Sequence, residues 1–425
     1  MSLVIKNGRV LDPGQGLDEA LDVLIEGGRI LNLGKDLRAE ETIDARGKVI
    51  CPGFIDMHTH LREPGREDEE TIASGTAAAA RGGFTGICCM ANTHPVNDNQ
   101  AVTDFVLNQA RNGGLIPVYP IGAISKGLKG EEMAELGDLK AAGCVGFSDD
   151  GRPVMNANLM RRALEYSKML DLPLIEHCED SNLSGSGVMN EGFTSTRLGF
   201  RGIPAASEEV MVARNIILAE MTGARLHIAH VSVAGSVHLI RWAKSRGVRV
   251  SGEVCPHHFA LSEEALASFD TNLKMNPPLR SVEDIAALKE GLADGTLEAI
   301  VSDHAPHAAS EKEVEFDYAP TGIIGLETAV SLSLHELYHQ GVLPLGNLVA
   351  KFTSGPAAIL GLEKGSLAPG ADADLTLLDL EKEVVVDPAQ SRSKSRNTPF
   401  WGWKLKGAPW MTICAGRTVY DGRGE

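Results

Sequence analysis

Short apolar runs bounded by turn residues open the chain. Leu3–Ile5, Asp22–Ile25 and Lys48–Ile50 are strand-like, and Asn7-Gly8, Gly27-Gly28 and Arg46-Gly47 punctuate them. Turn signals at this spacing predict a small antiparallel sheet. The C-terminal end repeats the pattern with Leu375–Leu378, Val384–Val386, and a run Met411–Tyr420 broken by Ala415-Gly416. Gly8-Arg9-Val10-Leu11-Asp12 is echoed by Gly416-Arg417-Thr418-Val419-Tyr420-Asp421. The two ends together predict one small β-sandwich domain, residues 1–51 with 362–425.

Between them the period changes. Apolar runs that end near His58, Asn92, Gly122, Asp150, His177, His230, Val254 and Asp303 alternate with segments of helical period. The clearest helices are Glu70–Arg81, Asn158–Leu170, Ser207–Met221 and Val282–Leu292. Asp68, Glu69 and Glu70 stand where the first helix should begin, and acids favour a helix N-terminus. Alternating strands and helices of this number predict an α/β fold, a TIM (β/α)8 barrel over residues 52–361. A doubly wound sheet would carry a glycine-rich phosphate loop after an early strand, and neither G-x-G-x-x-G nor a Walker loop occurs.

Composition narrows the function. Apolar residues make up 43% and charged residues 23%, enough for a large soluble core. Lys plus Arg is 40 and Asp plus Glu 57, a net charge of −17, which argues against nucleic-acid and anionic-membrane partners. An anionic substrate would need positive charge built locally. No apolar run reaches the roughly 18 residues of a membrane span, and the first residues lack a signal peptide's apolar core. Cys51, Cys88, Cys89, Cys144, Cys178, Cys255 and Cys414 form no C-x-x-C pair and mostly sit in apolar runs. They read as buried, reduced thiols in a cytoplasmic protein.

The chemistry gathers at the strand ends. His58 and His60 alternate along a strand and so share a face, where they can share a metal ion. Taken alone, H-x-H is weak. The other strand ends strengthen it: Ser148-Asp149-Asp150, Glu176-His177, His227-Ile228-Ala229-His230 and Asp303-His304 also carry ligand types. In a TIM barrel these ends converge on the face that holds active sites. Four histidines with carboxylates exceed what one tetrahedral ion takes, which predicts two ions. Spacing does not separate Asp149 from Asp150. Arg62 follows His60 by two residues and suits a substrate carboxylate, with a surface ion pair as the alternative. On residue type alone Asn92 and Asn276 are turn residues. His307 lies in the loop at the mouth of the last strand.

Motifs in order along nearly the whole chain carry a resemblance. They are G-F-I-D-M-H-T-H-L-R-E-P-G at 53–65, M-A-N-T-H-P-V at 90–96, F-S-D-D-G at 147–151, I-E-H-C-E-D at 175–180 and I-A-H-V-S at 228–232. E-V-C-P-H-H at 253–258, N-P-P-L-R at 276–280, S-D-H-A-P-H at 302–307 and T-G-I-I-G-L-E at 321–327 complete the set. The chain resembles the amidohydrolase superfamily and, within it, the bacterial dihydroorotases that occur with aspartate carbamoyltransferase. The resemblance implies two zinc ions per chain, one on His58 and His60 and the other on His177 and His230, with Asp150 bridging. Asp303 would ligate the first ion and act as general acid and base. Arg62, Asn92, Asn276 and His307, with backbone near Gly322, would hold the substrate.

The implied activity is reversible hydrolysis of L-dihydroorotate to N-carbamoyl-L-aspartate in pyrimidine (UMP) biosynthesis, by hydroxide held between the ions. Two divalent ions outweigh their ligating aspartates, and Arg62 adds to the positive charge that such an anionic substrate needs. The resemblance also implies a homo-oligomer, a dimer, and allows a complex with aspartate carbamoyltransferase. Hydantoinases and allantoinases are the rival enzymes. They carry a carbamylated lysine on the fourth strand, where this chain has Ser148-Asp149-Asp150. A metal-free scaffold is the rival of another class, and here every ligand position is filled.

Other residues carry blander expectations. By strand parity His227 should face the helix layer. His257 and His258 should support the site structurally, and His94, His238, His335 and His339 should lie at the surface. Asp56 should be a buried partner of a ligating histidine. Glu176, Glu179 and Asp180 should pair beside the site or at the surface. Trp401, Trp403 and Trp410 should pack between the domains. The polar segment 308–318 is either a lid over the site or an ordered surface loop.

Overall fold

The computed structural model describes residues 2–424. β1 (Ser2–Asp12), β2 (Leu17–Glu26), β3 (Arg29–Gly34), β4 (Glu41–Asp44) and β5 (Val49–Pro52) form the first end. The barrel strands are β6 (Phe54–Thr59), β7 (Phe84–Cys89), β8 (Val118–Gly122), β9 (Gly146–Phe147) and β10 (Leu174–Glu176). A short parallel pair follows, β11 (Met189–Asn190) with β12 (Gly202–Ile203). The barrel then continues with β13 (Leu226–Ile228), β14 (Val250–Val254) and β15 (Ala299–Ile300). β16 (Leu375–Val385), β17 (Lys404–Cys414) and β18 (Arg417–Asp421) close the chain.

Both termini share one sheet, ordered β18-β17-β16-β5-β1-β2-β3, with β4 also on β1. It is mixed rather than antiparallel: β2 pairs with β1 antiparallel, while β4 and β5 run parallel to it. The link between the ends is β5 on β16, with Ile50 opposite Leu377. Ala415 (φ 48°) and Gly416 (φ 75°) make the tight turn into β18, the left-handed pair a two-residue hairpin asks for. Ile5, Val10, Val23, Ile25, Ile50, Leu375, Leu377, Met411 and Ile413 form a core belonging to this domain. Each such side chain contributes about 1.5–3 kcal/mol by leaving water.

The eight barrel strands run parallel in the order β15-β14-β13-β10-β9-β8-β7-β6. A parallel bridge of Thr59 with His304, and a hydrogen bond from His60 N to His304 O at 2.8 Å, join the two edges. Inside, Ile55, Met57, Cys88, Ile121, Ile175 and Ala299 pack with Ile359 and Leu360 of helix Ser354–Leu360. Outside, Phe54, Phe84, Phe147, Leu174 and Leu226 pack under the helices. All seven cysteines are free and buried.

The helices fall where the periodicity places them: Ile72–Arg81, Ala157–Leu170, Ala206–Thr222 and Val282–Ala293. The acids before the first helix do not serve it. Its N-cap is Thr71, in a capping box with Ser74, and no acid lies in its first turn. Glu69 and Glu70 are instead buried and spent on tertiary contacts. The barrel meets the β domain through Gly53 N to Asp374 O at 2.8 Å and Thr412 Oγ1 to Ala80 O at 2.7 Å. Trp403 packs edge-on against Phe400, and Lys48 stands over the Trp410 ring.

Candidate metal centre and substrate cavity

Five strand ends deliver one cluster. His58 and His60 leave the end of β6, Asp150 follows β9, His177 follows β10, His230 follows β13 and Asp303 follows β15. Asp150 lies at the middle. Its Oδ1 is 3.4 Å from His58 Nε2, 3.3 Å from His230 Nε2 and 3.8 Å from His177 Nδ1, and its Oδ2 is 3.4 Å from His60 Nε2. Asp303 Oδ1 lies 3.1 Å from His60 Nε2 and 3.5 Å from His58 Nε2. Asp149 points elsewhere and accepts from the backbone N of Ile124 and Ser125 at 2.8 and 3.0 Å, so of these two neighbours it is Asp150 that reaches the imidazoles.

The far nitrogens of three rings are held by acceptors. His58 Nδ1 meets Glu253 Oε1 at 2.6 Å, His60 Nδ1 meets Asn92 Oδ1 at 2.8 Å, and His177 Nε2 meets Glu179 Oε2 at 2.9 Å. That leaves His58 Nε2, His60 Nε2 and His177 Nδ1 turned towards Asp150, and His230 Nε2 joins them. Acceptors behind the rings are what ligating imidazoles require. His58 Nε2 itself is buried with no hydrogen-bond partner among the described residues, which suits an atom meant for an ion. Imidazole nitrogens with carboxylate oxygens are a donor set for zinc and similar divalent ions.

The electrostatics are those of a closed cluster of opposite charges. Burial opposes charge on the His58 ring, yet Asp150, Glu253 and Asp303 raise its pKa well above the usual value. Burial likewise opposes ionisation of Asp150, and His58, His230 and His60 hold it well below the carboxylate range. Glu253 is held at about 2, against its burial, by His58 and His227.

Above the cluster opens a cavity of about 330 Å³ lined by Arg62, Asn92, Asn276, His307 and Gly322 along with His60, Asp150, His177 and Asp303. The residues singled out as substrate contacts therefore meet in one space, although they are partly engaged already. Asn92 Oδ1 serves His60, and Asn276 Nδ2 donates to Glu179 Oε2 at 2.8 Å. Arg62 is held through Nε, by Glu69 Oε2 and Pro306 O, both at 3.0 Å. The Gly322 N–H donates to Lys274 O at 2.9 Å, which removes it from the cavity. Segment 308–318 is anchored beside the cavity, with Lys312 and Phe316 buried and Glu311 on Arg66 at 2.7 Å.

Two residues differ from what strand parity predicts. His227 does not face the helices. It is fully buried and bonds Ser251 Oγ at 2.8 Å and Glu253 Oε2 at 3.0 Å. It lies level with Ile175 of the barrel interior. The strand ends at Ile228, and His230 turns into the site through a positive φ of 30°, so alternation cannot be counted across it. Asp56 is buried as expected, but it accepts from the backbone N of His58 and Ser302 rather than from an imidazole. The carboxylate behind His58 is Glu253, to which no local motif spacing assigns a role. Its signal was available: a charged residue in a buried strand, within E-V-C-P-H-H.

A family model described as dihydro-orotase-like matches residues 47–236, and one described as amidohydrolase family matches residues 219–420. A dihydroorotase of Pelotomaculum thermopropionicum is 58% identical, covering 100% of this chain and 99% of that protein. One of Syntrophus aciditrophicus is 56% identical over 99% of this chain and 100% of its own length. Among solved structures, an L-hydantoinase (dihydropyrimidinase) from Arthrobacter aurescens superposes with a TM-score of 0.90 at 26% identity, over 100% of this chain and 96% of its own. A dihydropyrimidinase from Brevibacillus agri gives 0.87 at 25% identity over the same shares.

Proposed function

The chain belongs to the dihydroorotases, within the amidohydrolase family, and from that premise we propose that it interconverts L-dihydroorotate and N-carbamoyl-L-aspartate in pyrimidine biosynthesis. The carrying observation is a cluster of four imidazoles and two aspartates at the base of a cavity that Arg62 also lines. At about 330 Å³ the cavity matches the small end of ligand sites, as a single-ring substrate needs.

His58, His60, His177 and His230 would hold two zinc ions with Asp150 and Asp303. Such ions lower the pKa of bound water to ~7 and polarise a ring carbonyl. The chain's own groups do the rest. Arg62 offers its planar guanidinium to the ring carboxylate, and two parallel hydrogen bonds fix the ring's orientation. Asn92 and His307 join Arg62 around the carboxylate, and Asn276 flanks the ring. Asp303 Oδ takes the proton of the attacking water and returns it to the ring nitrogen as the amide bond breaks. In the reverse direction it removes that proton before closure.

Zinc is proposed as one of the divalent ions that a nitrogen and oxygen donor set accepts, and availability decides among them. A cytoplasmic location rests on the seven free, buried thiols.

The test strips the protein with chelator, restores zinc in steps and follows dihydroorotate ring opening by its ultraviolet absorbance. Turnover that rises with one to two bound ions per chain is the expected result. Turnover of hydantoin or allantoin in place of dihydroorotate would move the substrate, and metal binding with no turnover of any of them would overturn the reading.

A further inference from the structure

Glu69 is a carboxylate only 1% exposed, on the loop between β6 and helix Ile72–Arg81. Its two oxygens reach two side chains that line the cavity. Oε2 lies 3.0 Å from Arg62 Nε, and Oε1 lies 3.1 Å from His307 Nδ1. Arg62 and His307 follow β6 and β15, the two strands that the Thr59–His304 bridge brings side by side to close the barrel. Glu69 is the group that both touch. The other His307 nitrogen faces Thr321 O at 2.8 Å, so each ring nitrogen stands against an oxygen acceptor and the contact with Glu69 needs an N–H at Nδ1.

The cluster of Glu69, His307 and Glu311 has the look of a cation site, but its positive charge is already supplied. Arg66 Nη2 lies 3.2 Å from Glu69 Oε1 and 2.7 Å from Glu311 Oε1. The backbone of Glu69 is tied as well, its N to Arg66 O at 3.0 Å and its O to Ser395 Oγ at 2.7 Å. This carboxylate is held rigidly from several sides, as a group that orients others must be.

We propose that Glu69 is a positioning residue for substrate recognition, holding Arg62 and His307 in the one arrangement that receives the ring carboxylate. The inference rests on reading those two residues as the carboxylate site. Both contacts need an acceptor. In Glu69→Gln the amide –NH2 would point at the N–H of either Arg62 or His307, so one contact must break. In Glu69→Asp the shorter side chain cannot span both. The reacting atoms lie beyond either change, so binding suffers and the chemical step does not.

The test compares wild type, Glu69→Gln and Glu69→Asp, each with metal content measured. For Glu69→Gln the KM for dihydroorotate should rise about tenfold or more while kcat stays within about threefold. Orotate and uracil, as competitive inhibitors, differ by the carboxylate. Inhibition by orotate should weaken in step with KM, and inhibition by uracil should not change. Glu69→Asp keeps the charge and carries the same comparison where Glu69→Gln does not fold. An unchanged KM, or equal losses for orotate and uracil, overturns the positioning role. A wild-type protein that ignores dihydroorotate overturns instead the functional reading beneath it.

Discussion

His58 Nδ1 and Glu253 Oε1 stand 2.6 Å apart in the fully buried centre of the barrel, and the other oxygen of Glu253 takes His227 Nε2 at 3.0 Å. One carboxylate thus holds a candidate ligand from β6 and a supporting histidine from β13, and it also accepts from His230 N at 3.3 Å. In Glu253→Gln the amide nitrogen meets at least one of these donors. We expect metal affinity to fall about 10- to 100-fold, with turnover largely restored at saturating zinc. Chelator competition measures the first and zinc-dependent kinetics the second. Unchanged affinity would refute the role of Glu253 behind His58.

Much of this site was legible because strand ends carry it. His58, His60, Asp150, His177, His230 and Asp303 are recognisable as ligand types at the ends of apolar runs, and barrel topology then places them on one face. Parity served only while the chain stayed extended. It failed at His227, because His230 (φ 30°) turns after the strand has ended, as does Asp303 (φ 46°) beyond β15. Glu253 and Glu69 escaped for a different reason. Their roles are set by partners far away in sequence, and no local spacing announces such pairs. The β domain showed its strands by their turns, but the parallel crossovers that put β4 and β5 beside β1 leave no local signature.

Asp303 lines the cavity and lies 3.1 Å from His60, the place for a group that carries a proton between water and ring nitrogen. Asp303→Asn keeps the shape and removes the proton acceptor. We expect kcat to fall by about 10²–10⁴ with the circular dichroism spectrum and thermal midpoint retained. Metal content is measured on the same sample, because the same side chain is a proposed ligand. Unchanged turnover would sink the general acid–base assignment.

Metal removal should also destabilise the fold. The buried cluster holds carboxylates and imidazoles that bound ions would compensate, and ligand that binds only the folded state stabilises it by mass action. At about 1,000 times the dissociation constant that contribution is about 4 kcal/mol per site. Calorimetry with and without chelator should show a lower midpoint for the stripped protein, restored by zinc. Identical midpoints would mean that the cluster holds no ion in solution.

Lys364 offers a pH-dependent test at the seam between barrel and β domain. Its Nζ lies 2.7 Å from Asp372 Oδ2 and 2.7 Å from Asp374 Oδ2, and Asp374 also accepts from Ala415 N at 2.8 Å. Burial alone would lower the lysine pKa, but the two carboxylates push it above its ordinary value of 10.5. The folded protein therefore holds this proton more tightly than the unfolded chain. The stabilisation is fully present below pH 10.5 and is lost as pH rises from there through the folded value. Lys364→Met should cost about 1–3 kcal/mol at neutral pH. The gap from wild type should close progressively above pH 10.5. Burial holds Tyr119 and Cys414, two neighbours that feel the Lys364 charge, above their ordinary values, so the gap reads the loss of Lys364 together with its effect on them. Urea unfolding from pH 7 to 11.5 measures it, and a gap that stays constant across about that range would show that the ion pair does not stabilise the seam.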